Sequence, residues 1–303
     1  MSRQLIRRAM QTLHHHFPAL RSIIAQTLIL AYKEDTSPIE QALKEEGFSP
    51  SVLRPTYTQK ELSYSRTIRC LLNHDSAWTL ARAIDGLTLV MEADFVPCEG
   101  FGSLPLPFDP VTRGDTAWSF LYAGGPRIFG VLSDGSLPGH AACPVAYVIS
   151  SRVGAWLNEY TREELARHGD PTQYSLWDTQ FQWHLMGKGA ICFMPWRHYG
   201  EHGGLPNREH DSAGVGVAKR FRLLGRLGLG RNHHADVLYA PLMFLPPYAQ
   251  GHRRRLWRTR LEAKLTGWLK LLSGKMVQPM QPLPFSRKLH LYCVCMTRLC
   301  GLH

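Results

Sequence analysis

Ala25-Gln-Thr-Leu-Ile-Leu-Ala-Tyr32, Asp35-Thr-Ser-Pro38 and Pro50-Ser-Val-Leu-Arg-Pro55 decide the fold. The first is a short apolar run of the kind that forms a buried strand. The second is a helix entry, with Ser37 placed to cap and Pro38 preset for the first turn. That helix covers residues 38–46, carries Ile39, Ala42 and Leu43 on one face, and stops at Gly47. The third run is another strand. Strand, short helix and strand in so short a stretch make a βαβ unit, and such units build parallel sheets covered by helices. The expectation is an α/β protein.

Outward from that unit, residues 65–83 read as a helix. Ile68, Leu71, Leu72, Ala77 and Leu80 supply its apolar side, and Cys70, His74 and Trp78 recur every fourth residue on a neighbouring stripe. Gly86-Leu-Thr-Leu-Val-Met91 is a third strand, apolar enough to be central. Residues 97–139 are rich in Gly and Pro and hold only strand-like pieces at 118–123 and 128–132. Residues 146–149 form a strand. Residues 153–168 form a helix with Ala155, Trp156 and Leu165 apolar, and residues 178–186 another with Phe181 and Leu185. Residues 191–194 close the core. Residues 1–21 form a basic arm, 22–250 the α/β domain, and 251–303 a basic C-terminal segment.

The 303 residues are 44% hydrophobic and 19% charged, which excludes a chain disordered throughout. The net charge of +11 is unevenly placed. From Lys219 onward there are 16 basic residues against two acidic ones, Asp236 and Glu262; the rest is slightly acidic. No nucleic-acid partner is expected from such a body. Within residues 252–275, Trp257, Leu261, Leu265, Trp268, Leu269 and Leu272 follow helical spacing, and Arg253, Arg254, Arg255, Arg258, Arg260, Lys264 and Lys270 occupy the other faces. The pattern fits a helix lying on an anionic membrane surface, or one docked on its own domain with solvated cations. The sequence contains no apolar run of roughly 18 residues. Gln11, the run His14 to His16, Pro18 and Arg21 interrupt any signal-peptide core. Seven cysteines without a CxxC pair fit reduced thiols. The expected location is cytoplasmic, peripheral on the inner face of the membrane.

Glu92 and Asp94 directly follow the third strand, at the edge where open α/β sheets bind ligands. Alternation points both to one side and Ala93 to the other. Two carboxylates so placed repel each other unless a divalent cation sits between them, where it can also bridge the phosphates of a nucleotide. Tyr199-Gly-Glu-His-Gly-Gly-Leu-Pro-Asn207 is a second candidate. Gly203 and Gly204 let backbone N–H groups approach a ligand, His202 can ligate a metal or donate to a phosphate, and Glu201 is a candidate acid or base. The bland alternative is a tight turn with solvated side chains. Asp178 opens its helix either as a favourable N-terminal charge or as a base aimed into the cleft. The run Gly225-Arg-Leu-Gly-Leu-Gly230 follows no credible strand and is not a dinucleotide fingerprint.

These motifs resemble the family 25 glycosyltransferases of lipopolysaccharide (lipooligosaccharide) biosynthesis, in a cyanobacterial-type branch. Leu87-Thr-Leu-Val-Met-Glu-Ala-Asp-Phe-Val-Pro97 is similar to that family's strand and acidic triplet, with Ala93 in the place of the middle Asp. Arg69-Cys-Leu-Leu-Asn-His74 followed by Trp78 is similar to its Gly-Cys-x-x-Ser-His helix, with Arg69 and Asn73 departing from the pattern. Ala146-Tyr-Val-Ile-Ser150, Asp178, the run Gly200 to His210, and His234-Ala-Asp-Val-Leu238 extend the likeness over residues 24–250. The resemblance implies a GT-A-like, Rossmann-type fold whose mixed, mostly parallel sheet is flanked by helices. It also implies a nucleotide-sugar donor such as a UDP-hexose, a glycan or lipid-linked acceptor, a divalent metal (Mn²⁺ or Mg²⁺), and inversion at the anomeric carbon. Glu92, Asp94 and His202 are then the expected metal ligands. His74, Gly203, Gly204 and Asn207 are the expected donor contacts, with His74 and Trp78 packing beneath that site. Asp178 is the preferred catalytic base and Glu201 the second choice. The alternative expectation is a degenerate transferase-like domain that binds a glycan or partner without turnover.

Overall fold

The computed structural model describes residues 17–203 and 241–300. The opening unit forms as β1 (Ile24–Leu30), α1 (Ser37–Glu45) and β2 (Pro50–Leu53). β2 lies parallel beside β1, pairing Thr27 with Pro50 and Leu30 with Leu53. The entry to α1 is shifted by one residue from the expectation. Thr36 is the cap position, and Asp35 Oδ1 accepts from the Ser37 N–H at 3.0 Å. After α2 (Arg66–Ala81), β3 (Leu87–Glu92) pairs parallel with the other side of β1. β4 (Phe95–Pro97) follows, then β5 (Ala117–Ile128), β6 (Leu137–Ser150), α3 (Ser151–His168), α4 (Trp177–Gly187), β7 (Ile191–Met194) and β8 (Gly200–His202). α5 (Arg253–Leu272) and α6 (Phe285–Cys300) come last.

The main sheet has the order β2-β1-β3-β6-β5-β7. β6 runs antiparallel to β3 and β5, and the other five strands share one direction, so the sheet is mixed and mostly parallel. The loop between β5 and β6 is too short for a crossover, and it therefore returns the chain antiparallel. Both strands are far longer than the pieces read from the sequence. Register shifts along β5 between Phe120 and Arg127 absorb Gly124, Gly125 and Pro126 as bulges, so residues that read as loop lie inside a strand. Gly139 is required there by close approach, since a Cβ would sit 2.6 Å from the Arg127 carbonyl oxygen.

Two helix faces also differ from expectation. α2 buries Ile68, Leu71, His74, Ala77 and Trp78, while Leu80 is exposed. Its inward face is turned toward the His74 and Trp78 stripe, because those two rings find polar partners in the core. α3 buries Val153, Leu157 and Tyr160 rather than Ala155. Gly154 allows the contact, lying where a Cβ would meet the Trp78 carbonyl oxygen at 3.0 Å. One apolar cluster joins Leu28, Val90, Trp118, Tyr147 and Phe181 with Leu271, Leu291, Cys295 and Leu299. The C-terminal segment thus shares a core with the α/β body, and α6 occupies a tail that has little legible pattern. Among the described residues, no helix is long and apolar enough to cross a membrane. The expected arm at residues 1–21 falls mostly outside the described residues.

Candidate functional site

β3 places Glu92 at its C-terminal end beside Leu30 of β1, and the Ala93 N–H donates to the Leu30 carbonyl at 2.8 Å. β3 ends at Glu92 and β4 begins at Phe95, so Ala93 and Asp94 form a turn rather than extended strand. Ala93 packs against one hydrophobic cluster, and ligand atoms of Glu92 and Asp94 lie close together across that turn. Immediately after Asp94, β4 pairs antiparallel with β8 and sets Phe95 opposite His202. The pairing carries His202 to the acids from more than a hundred residues away. His202 Nε2 is 2.7 Å from Asp94 Oδ2 and 3.9 Å from Glu92 Oε2.

The electrostatics follow from that clustering. Burial alone would lower the His202 pKa, but the charge and hydrogen bond of Asp94, with the charge of Glu92, outweigh it and raise it to about 9. One ligand atom from each of Glu92, Asp94 and His202 lies within 4.8 Å of the others, close enough to share one cation. Asp94 Oδ1 is buried without a hydrogen-bond partner. An orphaned carboxylate oxygen beside a second carboxylate and an imidazole fits a hard or borderline divalent cation.

Glu92 is oriented from beneath by a chain of hydrogen bonds. The Trp78 indole N–H donates to the Tyr147 hydroxyl oxygen at 2.7 Å. The Tyr147 hydroxyl lies 2.8 Å from His74 Nδ1, and His74 Nε2 lies 3.2 Å from Glu92 Oε1. An indole can only donate and a carboxylate only accept, so the network assigns the tyrosine proton to His74 Nδ1 and the imidazole proton to Nε2. His74 therefore donates to Glu92 and positions it. It resembles the outer partners that aim ligands at a metal, and it also lines the cavity that the acids open onto.

Asp178 sits in the first turn of α4. Burial first, and the Glu92 charge second, push its carboxyl up to about 6, and its Oδ1 is buried without a hydrogen-bond partner. Asp178 feels the Glu92 charge but belongs neither to the Glu92, Asp94 and His202 group nor to the lining of the cavity they open onto. Glu201 is elsewhere. It alternates with His202 on β8, is fully buried, and accepts from Arg260 Nε of α5 at 2.7 Å. In this arrangement the Glu201 carboxylate is held by Arg260 and is fully buried. The Gly203 N–H donates to the Asp94 carbonyl at 2.6 Å and so locks β8 against the acidic strand end. Gly204 and Asn207 lie outside the described residues.

The acids open onto a cavity of about 600 Å³. Its wall includes Lys33, Arg66 and Arg69 together with Tyr32 and Tyr57. Arg69 Nε is a buried donor with no hydrogen-bond partner, and its guanidinium lies 5.8 Å from the Tyr57 ring centroid. Tyr32 and Tyr57 have ring centroids 5.7 Å apart. Sequence reading missed these cations and rings as site residues. Arg66 and Arg69 are separated by three positions on one helix, which was the available signal, but it becomes meaningful only once α2 is laid beside the strand ends. No protein-family model matches the chain, and no curated protein is recognisably similar to it.

Proposed function

We propose that the chain is a glycosyltransferase that moves a sugar from a nucleotide-sugar donor to a glycan or lipid-linked acceptor, metal-assisted and inverting. The observation that carries this reading is the meeting of Glu92, Asp94 and His202 at the mouth of a cavity walled by cations and two tyrosines. The mixed, mostly parallel sheet, with the acids at the end of a central parallel strand, is compatible with the GT-A-like fold that the resemblance implies.

A divalent cation such as Mn²⁺ or Mg²⁺, held by Glu92, Asp94 and His202, would supply positive charge where a departing nucleoside diphosphate needs it. Arg66 and Arg69 hold the diphosphate, the unpaired Arg69 Nε being a ready donor. Tyr32 and Tyr57 offer flat faces to a nucleobase. His74 keeps Glu92 aimed at the cluster. Asp178 takes the proton of the acceptor hydroxyl as that oxygen attacks the sugar carbon in one displacement. A carboxyl held near 6 is ionised at neutral pH and more basic than an exposed aspartate. The binding-only alternative drew its support from Ala93 in the acidic triplet and from Arg69 and Asn73 in the helix motif. Ala93 packs partly against the apolar cluster, and Glu92, Asp94 and His202 still bring one ligand atom each within 4.8 Å of the others.

The test is a screen of nucleotide sugars with Mn²⁺, read as release of nucleoside diphosphate. Turnover should require the metal, stop in EDTA, and be abolished by Asp94→Asn with the thermal transition retained. A folded protein that turns over no nucleotide sugar, or an Asp94→Asn variant as fast as wild type, overturns the reading.

A further inference from the structure

α5 has two faces, and among the described residues its large apolar side chains are docked on one and exposed on the other. Its inner face is docked: Leu271 is buried, Arg260 reaches Glu201, and Gly267 packs so closely that a Cβ would lie 2.5 Å from Leu299 of α6. Its outer face carries Trp257, Leu261, Leu265, Leu269 and Leu272, which are 40–77% exposed. At the helical pitch these five fall within an arc of about 120°, one continuous apolar stripe. A contiguous exposed patch of large apolar side chains marks an interaction surface, whereas scattered ones do not.

We infer that this outer face of α5 docks the protein on an anionic lipid surface. Charge chooses the occupant. Arg253, Arg254 and Arg258 are exposed on the same helix, and Arg254 and Arg258 fall within the apolar arc itself. The helix holds one acidic residue, Glu262, in a C-terminal third with 16 basic residues and two acidic ones. Long arginine stems let the charge rise to the headgroup plane while leucines enter the acyl boundary, and a tryptophan at one end suits the interface. Each cation near an anionic leaflet adds attraction that salt screens. The inner face supplies the mount: the Arg260–Glu201 pair ties α5 to the strand that carries His202, so the docked helix has a set position relative to the acidic cluster.

The test uses the full chain and needs no donor, metal or acceptor, so its failure is separate from failure of the glycosyltransferase reading. Co-sedimentation is measured with vesicles of phosphatidylcholine containing about one third phosphatidylglycerol, and with phosphatidylcholine alone. Wild type should bind the anionic vesicles at least about 10-fold more tightly than the neutral ones. The triple variant Trp257→Ser, Leu265→Ser, Leu269→Ser should lose about 10-fold or more of that binding with an unchanged thermal transition, because these side chains are exposed. Arg254→Glu should weaken binding and flatten its salt dependence. Three results overturn the inference: no vesicle binding by wild type, equal binding by the triple variant, or a self-association that the triple variant abolishes while vesicles remain unbound.

Discussion

Tyr147→Phe removes one oxygen from the middle of the chain that aims Glu92, and its consequences can be worked from the contacts. The Tyr147 side chain is 1% exposed, and Trp78 and His74 are fully buried. Removing the hydroxyl orphans the indole N–H and the His74 Nδ1 acceptor at once. Each buried polar group left without a partner costs about 1–3 kcal/mol, so the variant should lose about 2–5 kcal/mol, measured by urea unfolding at neutral pH. A cavity contributes little, since only an oxygen is lost. The second consequence is at the site. Without the tyrosine proton on Nδ1, His74 is no longer held with its proton on Nε2 facing Glu92. Mn²⁺ affinity, followed by calorimetric titration, should fall about 10-fold or more, as for loss of an outer partner of a metal ligand. Nitrogen-15 spectra of the wild type should show His74 protonated on Nε2. A Tyr147→Phe protein within about 0.5 kcal/mol of wild type, with unchanged metal affinity, would refute the hydrogen-bond assignment.

Arg260→Leu leaves the buried Glu201 carboxylate without that guanidinium and should cost on the order of 3 kcal/mol; adding Glu201→Gln should recover part of the loss, and strictly additive effects in the double-mutant cycle would contradict the pair. Asp178→Asn should slow transfer about 10²- to 10⁴-fold while making the protein more stable at pH 7.5. The sign follows from a carboxyl whose folded pKa is raised: its ionised form opposes folding above pH 6, and replacing it relieves about 1–3 kcal/mol. A destabilised Asp178→Asn protein would count against that placement. His140 is buried, and that burial, with Arg127 nearby, lowers its pKa to about 4. Its contribution is present above pH 6.5 and lost as the pH falls toward 4, up to about 3 kcal/mol, so stability-pH curves of wild type and His140→Asn should converge in acid. Parallel curves would show that His140 does not titrate as a buried imidazole.

Periodicity and punctuation were enough for β1, α1, β2, β3 and the helices α2 to α5, though not for α6, because a buried strand must be apolar and a helix must repeat every three to four residues. The direction of β6 and the length of β5 and β6 were not legible, since bulges admit Gly and Pro and a strand's direction leaves no mark on its own residues. The acidic pair was readable because two carboxylates directly follow an apolar strand, although a turn at residues 93–94, and not strand alternation, brings them together. Which groups join that pair is another matter. His202 reaches Asp94 through the pairing of β4 with β8, Glu201 is turned away to Arg260, and Gly203 donates to a carbonyl instead of a ligand.

The sequence by itself therefore determined an α/β sheet, two carboxylates at a strand end, and a C-terminal helix of alternating leucine and cation. Only the tertiary structure decided that His74 serves Glu92, that Arg66 and Arg69 wall the cavity, and that, among the described residues, one face of the helix is docked while the other exposes its leucines. Local patterns record how a segment meets its own backbone and one apolar boundary. The rest depends on neighbours far along the chain, whose hydrogen bonds and charges are assigned only when packing brings them within a few ångströms.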